Sequence, residues 1–197
     1  MRILHERQTP EYWDHAAQRG EPTRQVTSFE ASMFRAYVDP PAEGLALDAG
    51  CGTGEFAARM ATWGLDVIGL DFSPYAVEAA RRQLHAVDGL RFFVHDFNAD
   101  VIPRALLPRT VDVVVCRLSI AFFDRERFLG DVRRWLAPDG VLHITTAVSP
   151  PRPPGQSSHR GLTEQNMQQI AGGFRTCTRY DLENDGSVTC LVLRGPR

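Results

Sequence analysis

Lysine is absent from this 197-residue chain, and all 22 of its basic residues are arginine. Without a lysine amine, the chain has no Schiff-base chemistry and no covalent attachment point for pyridoxal phosphate. A phosphate-binding loop of the GxxxxGK[ST] type is excluded for the same reason. The 24 acidic residues leave a net charge of −2, so no overall positive field draws the chain to nucleic acid. We predict no nucleic-acid partner.

Cysteine is also scarce, and its spacing matters more than its number. The four residues are Cys51, Cys116, Cys177 and Cys190. No two of them have the CxxC spacing of zinc ribbons or thioredoxin-like redox sites, and we predict no metal site. Cys177 and Cys190 are placed to face each other across a C-terminal hairpin, but a reducing compartment favours free thiols.

Long apolar runs are missing as well. The longest runs, such as 111–116, fall far short of the roughly 20 residues that a membrane helix needs. The segment 1–7 has no apolar signal-peptide core. We therefore predict a cytoplasmic protein without membrane association, a single domain over 1–197, and a monomer or homodimer.

Short apolar runs alternate with helical patterns along most of the chain. Buried strands are predicted at 45–50, 65–71, 90–95, 111–116 and 141–147. The last two strands, at 174–180 and 188–193, flank an Asn-Asp-Gly turn signal. Because the other connections are too long for hairpins, we predict an α/β fold. Its sheet would be Rossmann-like, doubly wound, mostly parallel and seven-stranded, with a C-terminal antiparallel hairpin.

Helix boundaries follow from capping residues. Ser73, Asp124 and Thr163 are predicted N-caps, and the helix after Ser73 is expected to run to about residue 85. A Pro-Asp-Gly sequence at 138–140 is expected to break the helix capped by Asp124, before the fifth strand begins. Helices are also predicted at 10–19 and 28–38, outside the sheet, and the proline-rich segment 149–161 is predicted to be a loop.

The first predicted strand runs into a glycine-rich loop, DAGCGTG at 48–54. Three glycines in five residues let the backbone turn tightly and approach a ligand closely. The spacing is GxGxG, not the GxGxxG of dinucleotide-binding loops. Roughly twenty residues on, the second strand ends in Asp71, which is placed to accept both hydroxyls of a ribose. This order predicts a cofactor of the adenosine type, bound beyond the carboxyl ends of the strands.

The segments LALDAGCGTGEFA and VIGLDFSPYAVEAAR resemble the class I S-adenosylmethionine-dependent methyltransferases. Further matches follow in order: FFVHDFN, VDVVVCRLSIAFF and RRWLAPDGVLHIT. The resemblance covers about 45–193. It implies an enzyme that uses S-adenosyl-L-methionine and releases S-adenosyl-L-homocysteine. It also implies a helical lid over 1–40 and a cofactor-binding core over 44–194.

The resemblance assigns the glycine-rich loop to the methionine part of the cofactor. Asp48, Gly50, Gly52 and Gly54 would line that part. Cys51 lies in the same loop and is included among the cofactor-binding residues, although its thiol is best interpreted as a small buried filler.

Two further strand ends are assigned to the adenosine part. Asp71 would hold the ribose, with Phe72 against the adenine. Asp96 would accept the adenine amino group, with Phe97 beside it. The alternatives are a surface carboxylate at Asp71 and a simple turn cap at Asp96.

The remaining assignments lie after the fourth strand and in the lid. The backbone at Cys116 and Arg117 would help to hold the amino end of the cofactor. The Arg117 side chain is placed to pair with an acidic acceptor, and an ordinary surface arginine is an equally good interpretation. Tyr12 and Trp13 resemble an aromatic pair in the lid helix of members that act on small molecules.

No catalytic residue is assigned from the sequence. Transfer from a sulfonium disperses positive charge, so the protein mainly has to hold the donor carbon and the acceptor in line. A base is needed only if the acceptor must lose a proton. His15 and His159 are weak candidates for that role, and a solvated surface histidine is the favoured interpretation of each.

The acceptor is narrowed by exclusion. The signatures of amino-group methylation of bases or glutamine, of cytosine carbon methylation, of ribose methylation and of metal-dependent catechol methylation are all absent. A small-molecule acceptor methylated on oxygen or nitrogen is the hypothesis that remains. Two alternatives stay open: a non-catalytic S-adenosylmethionine-binding regulatory or partner-dependent subunit, and a nicotinamide-dependent reductase. The GxGxG spacing argues against the reductase.

Overall fold

The computed structural model describes residues 9–19, 24–101, 103, 106–150 and 161–197. Two helices precede the sheet, and strands and helices then alternate until the C-terminal strand pair. The elements are α1 (Pro10–Gln18), α2 (Ser28–Val38), β1 (Gly44–Ala49), α3 (Glu55–Ala61), β2 (Leu65–Asp71), α4 (Pro74–Gln83), β3 (Leu90–Val94), β4 (Val111–Arg117), α5 (Arg125–Trp135), β5 (Leu136–Val148), β6 (Gly161–Leu162), α6 (Glu164–Gly172), β7 (Phe174–Asp181) and β8 (Val188–Pro196).

The strands form one mixed sheet in the order β3-β2-β1-β4-β5-β8-β7. The first five of these pair in parallel, and β8 runs antiparallel to both β5 and β7. The predicted Rossmann-like sheet with a C-terminal hairpin is therefore confirmed. The two-residue β6, which pairs in parallel with β5, adds an eighth strand. So short a strand has no periodicity that could have predicted it.

The predicted boundaries were wrong by two residues or more at three places. One is the last strand, which runs to Pro196 and does not end at residue 193. The break expected at 138–140 lies inside β5, which begins at Leu136, directly after α5. A register shift between Val111 and Val113 of β4 absorbs these extra residues of β5. The helix after Ser73 ends at Gln83, two residues earlier than expected.

The predicted helix starts are confirmed by their side-chain caps. Ser73 accepts a hydrogen bond from the backbone N–H of Ala76, and Asp124 accepts one from Arg127. Thr163 forms a reciprocal capping box with Asn166. Each cap satisfies an N–H that the first helical turn leaves without a partner.

The sheet has an apolar core on each face. Helices α5 and α6 cover one face, where Phe128 and Trp135 are fully buried. Helices α2, α3 and α4 cover the other face, where Phe34 and Met60 are fully buried. Since both faces are covered, the central strands are continuous apolar runs rather than alternating ones.

All four cysteines are free thiols. Cys177 pairs in register with Leu193, and Cys190 pairs with Tyr180, so the two cysteines do not face each other across the hairpin. His143 is buried in the core, and its Nε2 lies 2.9 Å from the hydroxyl of Tyr180. In the part of the chain that the structure describes, no helix is long and apolar enough to cross a membrane.

Truncating the aromatic core on the α5 face should cost far more stability than the same truncation at the surface. Phe128 is fully buried, whereas Phe29 on α2 is 56% exposed. We expect Phe128→Ala to lower the free energy of unfolding by about 3–5 kcal/mol, and Phe29→Ala to change it by less than about 0.5 kcal/mol. Urea titrations followed by circular dichroism measure both, and equal losses would contradict the described packing.

Candidate functional site

The glycine-rich loop joins β1 to α3 and has three residues with left-handed backbone. The φ angles of Gly50, Gly52 and Gly54 are 75°, 53° and 82°. A Cβ on Gly50 would lie 2.5 Å from the Cβ of Ser119, so only glycine fits there. A Cβ on Gly52 would meet no atom within 4 Å. The loop is thus packed on one side and open on the other.

The Asp71 carboxylate joins this loop to the end of β2. Its Oδ2 accepts the backbone N–H of Gly52 at 2.8 Å, and its Oδ1 accepts that of Ser73 at 2.9 Å. Asp71 is only 9% exposed, and burial raises the pKa of its carboxyl group. Asp71 is therefore a buried carboxylate that holds two loops together, and it is not a solvated carboxylate at the surface.

Asp48, the last polar residue of β1, is 1% exposed. Its Oδ2 is buried and has no hydrogen-bond partner among the described residues. Burial raises the pKa of this carboxyl group to about 7, and the nearby positive charge of Arg117 opposes that rise. A buried carboxylate oxygen without a donor is costly unless a ligand supplies the missing donor.

A cavity of about 630 Å³ lies across the carboxyl ends of β3, β2, β1 and β4. This volume falls within the range of small-molecule sites. The sequence-predicted residues that line it come from all four strand ends and from α1. They are Tyr12, Trp13, Asp48, Gly50, Cys51, Gly52, Asp71, Phe72, Asp96, Phe97 and Arg117.

Three predicted residues within the described part of the chain do not line this cavity. Gly54 is buried, and a Cβ there would meet Phe92 and Leu84. The Cys116 thiol is buried within 3.2 Å of Ser119 Oγ, and burial raises its pKa to about 12. His15 is exposed on α1. His159 lies outside the described residues.

Asp96 and Phe97 follow β3 and have structural partners as well. The Asp96 Oδ1 accepts the backbone N–H of Asn98 at 2.8 Å, so the turn-cap alternative for Asp96 describes a real contact. Phe97 is buried and packs on Phe123, with 4.8 Å between ring centroids. Both residues nevertheless border the cavity.

Helix α1 contacts the cavity through its aromatic residues. The Trp13 ring meets Phe122 edge-on, with 5.4 Å between centroids. The Asp14 carboxylate accepts hydrogen bonds from the Ser73 hydroxyl and from the backbone N–H of Tyr75. These bonds attach α1 to the start of α4, shortly after β2 ends at Asp71.

Arg117 holds the second N-terminal helix and the segment before it. Its guanidinium makes a two-pronged ion pair with Glu30 of α2, at 2.7 and 3.1 Å. The same group donates to the backbone carbonyls of Arg24 and Gln25, at 2.8 and 3.2 Å. The Arg117 side chain is therefore not an ordinary surface arginine. It is also not free to pair with an acidic acceptor, because the Glu30 carboxylate of the same chain already pairs with it.

Several cavity residues were not assigned to the site from the sequence. They are Arg24, Thr53, Glu55, Phe56, Ser73, Ala76, His95, Asn98, Leu118, Ser119, Phe122 and Phe123. All but one lie within about seven residues after a strand end, which is the one sequence signal that could have identified them. The exception is Arg24, whose position depends on contacts with residues far along the chain.

Comparisons with known proteins agree with this geometry. A family profile described as a methyltransferase domain matches residues 47–144. The mitochondrial ubiquinone biosynthesis O-methyltransferase of Schizosaccharomyces pombe is 31% identical over 104 residues, which cover 51% of this chain and 36% of that protein. The demethylmenaquinone methyltransferase of Thermus thermophilus is 33% identical over 109 residues, which cover 54% of this chain and 48% of that protein.

The chain spans less than half the length of the curated relatives it matches. Solved structures extend the likeness to the whole fold. A SAM-dependent methyltransferase from Aquifex aeolicus superposes with a TM-score of 0.72 at 16% identity, covering 94% of this chain and 97% of that one. A TehB-like enzyme from Corynebacterium glutamicum gives 0.66 at 20% identity, covering 96% and 100%.

The matched region contains the glycine-rich loop, the paired Asp71 and the end of β4, which together form most of the cavity floor. Sequence, sheet order and cavity position therefore lead to one assignment. The chain belongs to the class I S-adenosylmethionine-dependent methyltransferase family.

Proposed function

We propose that this chain binds S-adenosyl-L-methionine in the cavity and transfers its methyl group to oxygen or nitrogen of a small-molecule acceptor. The observation that carries the proposal is the unpaired Oδ2 of Asp48 at the cavity floor. A buried carboxylate oxygen that lacks a donor fits a ligand with a cationic amino end. The cofactor's methionyl group has such an end.

Each side of the cavity suits one part of this cofactor. Asp48 and the open backbone at Gly52 would hold the methionyl part, next to Gly50 and Cys51. Each Asp71 oxygen accepts one backbone N–H, and a carboxylate oxygen can accept a second hydrogen bond. Asp71 can therefore take two ribose hydroxyls without losing its contacts to the loops.

The aromatic residues suit the flat part of the ligand. Phe72, Phe97 and the carboxylate of Asp96 border the β2 and β3 end of the cavity, where the adenine would lie. Tyr12 and Trp13 cover the cavity from α1. Their rings would exclude water from the transferring methyl group.

The bound cofactor would supply a methyl group on a sulfonium, which becomes a neutral thioether after transfer. The residues of the chain need to hold donor and acceptor in line at near-attack distance. A base is required only for an acceptor that must lose a proton. His15, a weak candidate for that role from the sequence, is exposed and does not line the cavity, so it has no part in this proposal.

Calorimetric titration with S-adenosylmethionine and S-adenosylhomocysteine tests binding, and release of S-adenosylhomocysteine in the presence of acceptors tests transfer. We expect micromolar binding and steady turnover by the isolated chain. Binding without turnover across neutral phenols and amines would support a non-catalytic subunit instead. A folded chain that binds neither nucleoside would contradict the proposal.

Asp71→Asn should weaken S-adenosylhomocysteine binding by about 10- to 100-fold. The amide has the same shape, but its NH2 group cannot accept the N–H of Gly52 or Ser73 or a ribose hydroxyl. Asp66→Asn is the matched control, because Asp66 is an exposed residue of the same strand. Calorimetry on both variants measures the difference. An unchanged dissociation constant for Asp71→Asn would rule out the ribose contact.

Gly52→Ala should leave the chain folded and remove cofactor binding. The added methyl group meets no protein atom, and the left-handed backbone costs about 1–2 kcal/mol. The methyl group would occupy space that the ligand needs. Gly130→Ala in α5 also adds a methyl group in open space, and it should raise stability by up to about 1 kcal/mol. Thermal melts and calorimetry separate the two effects, and ligand binding by Gly52→Ala at wild-type affinity would refute this prediction.

The pH dependence of S-adenosylhomocysteine binding should reflect the protonation of Asp48. Below pH 7 the free protein holds a proton on this carboxyl group, whereas a cationic ligand favours the carboxylate. A proton is therefore released on binding, and the dissociation constant of S-adenosylhomocysteine should rise about tenfold per unit as pH falls below 7.

5′-Methylthioadenosine is the matched ligand for this pH series, because it keeps the ribose and adenine but lacks the amino acid. Its affinity should vary much less between pH 5.5 and 7.5. In Asp48→Asn the steep dependence for S-adenosylhomocysteine should disappear. A parallel pH dependence of the two ligands would exclude Asp48 as the partner of the amino group.

A further inference from the structure

Acidic residues outnumber basic residues around the cavity. Among the described residues that line it, four have carboxylates and two have guanidiniums. The carboxylates are those of Asp48, Glu55, Asp71 and Asp96, and the guanidiniums are those of Arg24 and Arg117. Both arginines form ion pairs with carboxylates that do not line the cavity, Glu30 and Glu183. The positive charges at the cavity wall are thus neutralised from outside it.

The Arg117 pair is fixed by burial. Glu30 is 1% exposed, and two hydrogen bonds join its carboxylate to the guanidinium. Separating the two groups would leave an uncompensated buried charge, which is strongly unfavourable. Arg117 is therefore not available to an anionic ligand.

The Arg24 pair is of a different kind. Its Nη1 lies 2.6 Å from Glu183 Oε1, and the two side chains are 28% and 43% exposed. Such a pair is partly solvated and contributes little to stability. The Arg24 Nε is buried and has no hydrogen-bond partner among the described residues. Arg24 is consequently the one described cation at the cavity wall whose charge a change outside the cavity could release.

Beside Arg117 and Ser119, the β4 end of the cavity has an apolar surface. Trp13 and Phe122 meet there edge-on, and Leu118 and Phe123 complete the surface. Rings pack on such a surface in edge-on or offset geometry. The side of the cavity left for the acceptor thus combines aromatic walls with an excess of negative charge nearby.

We infer that the acceptor is a ring-containing molecule without negative charge, and that Glu30 and Glu183 set this selectivity by holding the two cavity arginines from outside. The inference rests on the proposed function, since it concerns the acceptor side of that site. An anionic acceptor would approach several carboxylates, and the one guanidinium donor left without a partner among the described lining residues, Arg24 Nε, belongs to a cation that Glu183 already neutralises. A neutral ring would pack on the apolar surface beside the cofactor's sulfonium.

Binding of two matched rings to the protein saturated with S-adenosylhomocysteine tests this selectivity without requiring turnover. The probes are 2-naphthol and 6-hydroxy-2-naphthoate, which share one ring system and differ by a carboxylate. At pH 7.5 and low salt, we expect calorimetry to show 2-naphthol binding about tenfold more tightly.

Glu183→Gln tests the role assigned to the outer carboxylate. Removing this charge should free Arg24 and raise the affinity of the carboxylated ring relative to the neutral one by about fivefold. Glu164→Gln is the matched control, because Glu164 forms a similarly exposed ion pair with Arg179 that does not involve a cavity residue. That variant should leave the ratio of the two affinities at its wild-type value.

The inference is overturned if the carboxylated ring binds the wild type as tightly as 2-naphthol or more tightly. It is also overturned if neither ring binds, or if Glu183→Gln leaves the ratio unchanged. The proposed function fails separately, and first, if the folded protein does not bind S-adenosylhomocysteine. Binding of S-adenosylhomocysteine with a reversed ring preference would remove only the inference.

Discussion

The two hydrogen bonds that the Asp71 carboxylate accepts are the contact on which the site depends. They join the backbone of Gly52, in the loop after β1, to that of Ser73, in the loop after β2. Strands β1 and β2 are parallel neighbours, so their loops emerge at the same edge of the sheet. One buried carboxylate can therefore order both loops. Leaving either N–H unpaired would cost about 1–3 kcal/mol.

Polar contacts attach the N-terminal helices, and the segment between them, to the rest of the cavity. Asp14 binds the start of α4, and Glu30 pairs with Arg117 at the end of β4. A third contact runs from the backbone N–H of Val26 to the Glu55 carboxylate, at 2.9 Å. The parallel sheet supplies the floor of the cavity, and these polar contacts hold the elements that form its cover. Changes in the N-terminal helices should therefore alter ligand affinity even where they do not touch the ligand.

Much of the fold could be predicted from the sequence because its determinants are local. The caps at Ser73, Asp124 and Thr163 act within one helical turn, and buried parallel strands are apolar runs that can be recognised singly. The extended start of β5 could not be predicted, because its pairing with Val111 of β4 overrides a turn-forming Pro-Asp-Gly sequence.

Less of the site could be predicted, because many of its contacts join residues that are far apart in the sequence. Asp71 was predicted from its place at the end of the second strand and Asp48 from the family resemblance, and both line the cavity. The partner of Arg117 lies 87 residues away on α2, and no local pattern specifies such a pair. The pairing of Arg24 with Glu183 likewise depends on the C-terminal hairpin, which meets the N-terminal segment only in the folded chain.

The most direct test of the account is a crystal structure of the chain grown with S-adenosylhomocysteine. The account predicts both ribose hydroxyls against Asp71, the amino group against Asp48 and the adenine beside Phe72 and Asp96. A nucleoside that binds outside the cavity across β3, β2, β1 and β4, or that leaves Asp48 Oδ2 without a donor, would contradict it.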